Sequence, residues 1–319
     1  VIDSNSDITF VNSKSNKNAV SLLPIGALTV DSKGEYLAEL YDMSTAGAVA
    51  FYDYKKPISN PNLMKIALQY ASNFDGLVCS FPQENKIAGS GVMNENITST
   101  KLGLKGIPAL AEELQVARDL FLLEYTGGKL HIPTISTASS VALIRAAKQN
   151  KLDVTCSVAI HNLYFTDHIL TEFNTNYKVL PPLRTQEDVV VLIEGVKDGT
   201  IDMVTTDHNP IDIEEKKIEF DHANYGTIGL ESAFGALQTI FSTKKTIDIL
   251  TKGKVRFGRE HIPIKIGNSA DITLFNPGVT SVFSKENMIS KSKNAIFENQ
   301  TLKGKVYGTI SNNQTVLNS

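Results

Sequence analysis

The feature that most constrains the fold is a repeated alternation of short apolar runs with helix-like segments. The apolar runs lie at 22–30, 48–53, 76–81, 129–135, 152–160 and 201–206. Helical periodicity marks 35–47, 63–74, 107–128, 139–150, 187–199 and 229–241. Several runs are continuously apolar, as in strands buried on both faces of a parallel sheet. The chain is therefore predicted to be α/β, as either a doubly wound sheet or a (β/α) barrel.

The pattern changes after about residue 262, where short polar-flanked strands and turn residues replace the β-α units. Lys303-Gly304-Lys305 and Asn312-Asn313 are predicted to be turns. We expect a barrel domain at 1–261 and a small β-module at 262–319. About six strands precede residue 207, whereas a full barrel has eight. One or two strands are thus expected upstream of Val1.

The composition excludes several classes of protein. The net charge is −3, and no basic patch points to nucleic acid. No apolar run reaches the roughly 20 residues that a membrane helix needs. The two cysteines, Cys79 and Cys156, lie in apolar runs, which is typical of small buried side chains in a reducing compartment. A cytoplasmic protein is expected.

The stretch DGTIDMVTTDHNPIDIEEKK (198–217) carries the clearest chemical signal. An apolar run ends in Asp207-His208, so a buried strand would deliver a carboxylate and an imidazole to its C-terminal tip. Barrel enzymes place their chemistry at such tips. Asp207 is therefore the first candidate for a catalytic residue.

This stretch resembles the corresponding segment of the dihydroorotases, in the amidohydrolase superfamily. Similar segments lie at 24–29, 38–51, 102–120, 181–184, 193–202, 226–232, 268–277 and 290–294. The resemblance implies a (β/α)8 TIM-type barrel with a small β-module formed by the chain ends. It also implies the reversible cyclisation of N-carbamoyl-aspartate to dihydroorotate in pyrimidine synthesis. One or two zinc ions would activate water for attack, and an aspartate would shuttle the proton.

The same resemblance implies that several zinc ligands are replaced. Asp207 matches the aspartate that is both metal ligand and acid/base, and Asp53 keeps the first aspartate of the family's F-S-D-D-G. Tyr54 replaces the second aspartate, Phe81 the histidine of H-x-E-D, and Thr134 the second histidine of H-I-x-H-x-S-T. Asp53 and Asp207 are then the remaining metal candidates, although a catalytic zinc needs about three protein ligands.

The family's H-x-H pair is not found in this chain and is expected upstream of Val1 if it exists. The six histidines are isolated, at His131, His161, His168, His208, His222 and His261.

The substrate positions are changed as well. Leu180 replaces the asparagine of N-P-P-L-R, and Ile211 replaces the final histidine of D-H-A-P-H. Gly226 keeps a backbone position that contacts substrate in the family, and His208 and Asn209 are weaker candidates for substrate binding.

Three functions remain open from the sequence. The first is a non-catalytic dihydroorotase-like chain that lacks zinc and acts as a structural partner of aspartate transcarbamoylase. The second is an active dihydroorotase with a reduced metal site, and the third is a small-molecule binder that uses the barrel mouth. A homodimer is also expected, since the segment 107–128 has apolar positions to spare.

Overall fold

The computed structural model describes residues 1–15, 18–260 and 262–318. The α-helices are α1 Asn5–Ser15, α2 Leu40–Thr45, α3 Pro61–Ser72, α4 Asn85–Ala88, α5 Ile97–Leu102, α6 Ala109–Thr126, α7 Ala138–Gln149, α8 Ile160–Tyr164, α9 Gln186–Asp198, α10 Ile213–Lys216, α11 Ala233–Ile240 and α12 Thr243–Lys252. The strands are β1 Leu77–Cys79, β2 Met93–Asn94, β3 Gly106–Ile107, β4 Lys129–Ile132, β5 Val154–Ala159, β6 Met203–Thr205, β7 Ile272–Val282, β8 Thr301–Ser311 and β9 Gln314–Leu317.

A parallel sheet in the order β1-β4-β5-β6 forms the wall of the barrel. Single parallel bridges join Gly26 to Phe51 and Phe51 to Val78, which extends the wall on one side. On the other side, parallel bridges join His208 to Thr227 and Ile228 to Ala295. The fold is thus an α/β barrel of the TIM type, and all these strands point their C-terminal ends to one rim.

The outer helices begin and end where the sequence provides caps. Asn60 accepts hydrogen bonds from the first turn of α3, and Thr185 forms a capping box with Asp188 at the start of α9. Gly199 ends α9 in the left-handed conformation. Because α3, α6 and α7 pack against β1, β4 and β5, the apolar core lies between these helices and the sheet.

Three local predictions are wrong. The runs 22–30 and 48–53 were expected to be strands, but each contributes only isolated bridges. Their backbones do bond to each other and to 77–79 in parallel, but this pairing is short, and at 28–29 the N–H groups bond to the Asp53 carboxylate instead. Lys303-Gly304-Lys305 is not a turn, since it lies inside β8. Gly304 has φ 104°, and a side chain there would collide with the Phe234 ring, so this glycine serves a close approach within a strand.

The C-terminal module is an antiparallel sheet in the order β7-β8-β9. Asn312 and Asn313 have φ values of 49° and 58° between β8 and β9, so the predicted hairpin turn is confirmed. The module packs on the barrel through α11, where the Phe234 and Phe275 rings lie 5.0 Å apart. The boundary at 261/262 stays a prediction, and His261 lies outside the described residues.

Two further expectations concern the thiols and membranes. Cys79 and Cys156 are buried and free, and burial raises the pKa of each thiol to about 12, as expected for inert core side chains. Among the described helices, none is long and apolar enough to cross a membrane.

Candidate active site

The residues at the C-terminal ends of the barrel strands form the candidate site. Lys55, Thr134 and Asp207 each follow a different segment of the wall, and all three have positive φ, at 54°, 53° and 45°. Non-glycine residues in this region are strained, and such strain is concentrated at functional sites. The three strained residues at this rim therefore make it the candidate site.

Asp207 does not face an open metal position. Its Oδ2 accepts a hydrogen bond from Lys55 Nζ at 2.7 Å, and its Oδ1 accepts one from the Tyr54 hydroxyl at 3.3 Å. Both ends of the ion pair are buried, with side-chain exposures of 11% for Lys55 and 3% for Asp207. Lys55 is the residue that the sequence reasoning missed, because it is 152 positions from its partner.

The electrostatics of Asp207 depend on this pair. Burial raises the pKa of the Asp207 carboxyl, while the charge and hydrogen bond of Lys55 act in the opposite direction. Burial also raises the pKa of Tyr54, so its hydroxyl stays protonated and can donate to the carboxylate. Lys55 therefore supplies the positive charge that a bound cation would otherwise provide.

Asp53, the second metal candidate, faces away from this pair into a loop. Its Oδ1 accepts hydrogen bonds from the backbone N–H groups of Leu28 at 2.9 Å and Thr29 at 3.0 Å, and its Oδ2 bonds to the Thr29 hydroxyl. The carboxylate is buried and fully engaged. It holds the loop 28–29 in place rather than reaching Asp207.

The other replaced ligand positions lie in or near the core. Phe81 and Thr134 are both buried, and the Thr134 hydroxyl has no hydrogen-bond partner among the described residues. His131 is held by the hydroxyls of Thr155 at 2.9 Å and Ser157 at 3.3 Å, and burial lowers its pKa to about 3. His131 is therefore a neutral structural histidine in this barrel.

His161, at the start of α8, is the unexplained polar group of the site. It is fully buried, and neither ring nitrogen has a partner in the described part of the chain. Burial, together with the nearby charge of Lys55, lowers its pKa to about 3. The ring is thus neutral and keeps one nitrogen free to accept a hydrogen bond.

The candidate substrate residues are held by hydrogen bonds to neighbouring loop residues. Asn209 donates from Nδ2 to the Tyr225 carbonyl at 3.1 Å, and His208 Nδ1 accepts from the Gly229 N–H at 3.1 Å. Gly226 has φ 149°, and a side chain there would meet Asn209 Nδ2 at 2.6 Å. Asn294 joins the group by donating to the carbonyls of Asn209 and Gly226. These residues form a preorganised loop beside Asp207.

Two of the changed substrate positions are apolar in the structure too. Leu180 packs on the cluster of Ala88, Ile107 and Ala111. Ile211 is half-buried, and its backbone N–H donates to Asn294 Oδ1 at 3.2 Å. Neither side chain can donate a hydrogen bond to a substrate carboxylate.

The described residues by themselves do not fit a zinc site. Within 1–15, 18–260 and 262–318, no three His, Cys, Asp or Glu side chains come together as metal ligands. Asp207 is engaged by Lys55 and Tyr54, and Asp53 by the loop 28–29. Since a catalytic zinc needs about three protein ligands, these residues cannot hold one alone.

Comparison with known proteins decides the family. A family model described as "Dihydro-orotase-like" matches residues 3–140. The dihydroorotase of Pelotomaculum thermopropionicum is 42% identical over 324 residues, which cover 99% of this chain and 76% of that protein. The chain belongs to the dihydroorotase family.

Other matches agree with this membership. The dihydroorotase of Caldanaerobacter subterraneus is 40% identical, over 98% of this chain and 74% of that protein. The resemblance stated from the sequence is therefore confirmed, and family membership carries the expectation of zinc.

Solved structures confirm the fold at lower identity. The L-hydantoinase of Arthrobacter aurescens superposes with a TM-score of 0.83 at 18% identity, covering 98% of this chain and 74% of that chain. The dihydroorotase of Saccharomyces cerevisiae in complex with 5-fluoroorotic acid gives 0.73 at 12% identity, over 100% and 87% of the two chains. The predicted barrel with an added β-module is thus correct for this dihydroorotase-family chain.

Proposed function

We propose that this chain acts in pyrimidine biosynthesis as a dihydroorotase-family protein that does not itself hydrolyse dihydroorotate. Its role is that of a structural partner, with aspartate transcarbamoylase as the partner to test. The observation that carries the proposal is the buried Lys55–Asp207 ion pair at 2.7 Å.

The pair argues against metal catalysis on these residues. A metal at Asp207 would have to displace a buried ammonium and leave that charge without its partner. Because Lys55 is 11% exposed and can turn towards water, losing this partner would cost about 1–2 kcal/mol, in the range for hydrogen bonds to charged groups. Without a metal, none of the described residues at this rim would lower the pKa of water to the neutral range, as zinc does.

The scaffold offers a surface for assembly. Leu110, Leu114, Phe121 and Tyr125 project from one side of α6, and each side chain is at least 46% exposed. Spacings of four and seven residues place them on one helix face. An exposed apolar face of this kind is typical of a protein contact, and it supports either the predicted homodimer or a complex with transcarbamoylase.

An active dihydroorotase is the second candidate, and one finding favours it. The curated relatives at about 40% identity over nearly the whole chain are named dihydroorotase. Their names support activity more directly than they support a structural role. In that case Asp207 would be the acid/base residue, and zinc would need ligands beyond those described.

One set of measurements separates the candidates. Zinc content is measured by mass spectrometry on protein from zinc-supplemented medium, together with turnover of dihydroorotate. The structural role predicts substoichiometric zinc, no turnover, and a rise in transcarbamoylase activity or size when the chain is added. A Phe121→Ser/Tyr125→Ser variant should lose that effect while it keeps its fold.

Stoichiometric zinc with turnover would establish the enzyme instead. A chain that neither turns over substrate nor associates with transcarbamoylase would exclude both candidates and leave the small-molecule binder.

A further inference from the structure

A cavity beside the barrel mouth contains a buried lysine that no carboxylate neutralises. The cavity has a volume of about 900 Å³, which lies within the roughly 300–1,000 Å³ of ligand sites. Its walls come from three segments, 169–177, 211–217 and 285–300. Of the replaced family positions Tyr54, Phe81, Thr134, Leu180 and Ile211, only Ile211 lines this cavity.

Lys216 is the buried cation of this cavity. It is 4% exposed, and its Nζ donates to the carbonyls of Thr175 at 2.9 Å and Lys178 at 3.3 Å. An ammonium has three N–H donors, so one remains for a further acceptor. None of the ion pairs between described residues includes Lys216.

A second buried lysine raises the local positive charge. Lys178 is 3% exposed, donates to the carbonyls of Phe220 and Asp221, and lies 4.9 Å from the centre of the Tyr225 ring. Burial and the charges of Lys178 and Lys55 lower the pKa of Lys216 to about 7. Backbone carbonyls only partly compensate these two charges.

The rest of the cavity wall is also rich in lysine. Its charged residues are Lys216, Lys217, Lys285, Lys291 and Lys293, against Glu172, Asp212 and Glu298. Lys285 is already paired with Glu298 at 2.9 Å. A cavity with this balance attracts anions rather than cations.

We propose that this cavity binds a small organic anion, carrying carboxylate or phosphate groups, through the Lys216 ammonium. The anion accepts a hydrogen bond from the free N–H of Lys216, and the exposed Lys291 at the edge of the cavity adds electrostatic attraction. Asn294 lines the cavity and also bonds to the carbonyls of Asn209 and Gly226. Occupancy would thus be coupled to the loop beside Asp207.

This inference goes beyond the proposed function, because it holds whether or not Asp207 is catalytic. Binding is measured by calorimetry on the full chain, with succinate and uridine monophosphate as probes. Succinamide and uridine are the matched neutral compounds. We expect at least one anion to bind and its neutral counterpart not to bind, and the arm that binds identifies carboxylate or phosphate as the recognised group.

Two variants place the binding. Lys216→Met should weaken the affinity for the anion by at least about tenfold, which is equivalent to about 1.4 kcal/mol of binding free energy. Lys291→Glu changes only the exposed edge of the cavity and should also lower the affinity for the anion. The control Lys86→Met, on α4, should leave that affinity unchanged. Equal binding of neutral and charged probes, no binding of either anion, or unchanged affinity in Lys216→Met with a native melting curve would overturn the inference.

Discussion

Replacing Lys55 with methionine removes the charge from the ion pair and keeps most of the side chain's length. Asp207 then stays buried, at 3% side-chain exposure, with Tyr54 as its remaining hydrogen-bond donor. Breaking a buried pair from one side costs roughly 3–5 kcal/mol. Because the Tyr54 bond persists, we expect Lys55→Met to lower the free energy of unfolding by about 3 kcal/mol.

The complementary variant should cost less. In Asp207→Asn the ammonium of Lys55 loses its partner, but at 11% exposure it can turn towards water. A loss of about 1–2 kcal/mol is expected, in the range for hydrogen bonds to charged groups. The double variant carries neither charge, so its loss should stay below about 2 kcal/mol, and the singles should not add.

Urea unfolding of the four proteins at pH 7 measures these differences through the transition midpoint. Strictly additive losses, or a Lys55→Met protein as stable as the wild type, would refute the claim that Lys55 neutralises Asp207.

The pH dependence gives an independent check of sign. Burial raises the pKa of Asp207 above 3.8, and removing Lys55 raises it further. A carboxyl whose pKa is raised by folding favours its protonated form in the native state, so its penalty exists above the folded pKa. The penalty vanishes below the unfolded pKa. The gap between wild type and Lys55→Met should therefore shrink as the pH falls from 7 towards 4.

Four further outcomes are expected. Gly226 has φ 149°, and an added Cβ there would lie 2.6 Å from Asn209 Nδ2, so Gly226→Ala should lower the free energy of unfolding by about 1–3 kcal/mol. The loss should be smaller in Gly199→Ala, where an added Cβ meets no atom within 4 Å, and chemical denaturation compares the two variants. Glu112→Gln removes the buried carboxylate that accepts hydrogen bonds from the Ser136 and Thr137 N–H groups and faces Arg184. The free energy of unfolding should therefore fall by about 3 kcal/mol in the same assay. The pKa of Lys216 is about 7 in the folded protein and 10.5 in the unfolded chain, so raising the pH removes the proton from the folded state only. The free energy of unfolding of the wild type should therefore rise by about 1–2 kcal/mol relative to that of Lys216→Met between pH 7 and 9, measured by urea unfolding. Phe121→Ser/Tyr125→Ser on α6 should change the free energy of unfolding by less than about 1 kcal/mol and reduce self-association in sedimentation.

Sequence patterns predicted the barrel because its helices are long, periodic and capped. The segment 107–128 became α6 at Ala109–Thr126, and 187–199 became α9 at Gln186–Asp198. Both helices follow local rules, namely an amphipathic repeat and residues that satisfy the terminal N–H groups. The lengths of the edge strands at 22–30 and 48–53 were overestimated, because an apolar run does not determine how many of its backbone groups pair with the neighbouring strand.

The site was predictable only in part. The position of Asp207 at a strand end follows from the local sequence, but its partner does not. Lys55 reaches it because two distant strand ends meet at one rim, and Lys178 and Lys216 are buried by loops whose paths no periodicity indicates. Buried lysines are rare, so sequence reasoning assigns such residues to the surface by default.

The sequence identity of about 40% to dihydroorotases establishes the family, whereas the chemistry of the rim determines whether a metal can bind at Asp207. The core and buried networks, such as Glu112 with Ser136 and Arg184 with Asn94, stabilise the barrel whatever the rim carries. At the rim, a buried carboxylate needs a cation beside it. That cation can be a metal with several protein ligands or a lysine from a distant strand end, and the two exclude each other at the same oxygen. Lys55 lies 2.7 Å from Asp207 Oδ2, so the amount of zinc retained by wild type and by Lys55→Met tests which cation this barrel uses. A rise in bound zinc only in the variant would mean that the lysine holds the metal's place.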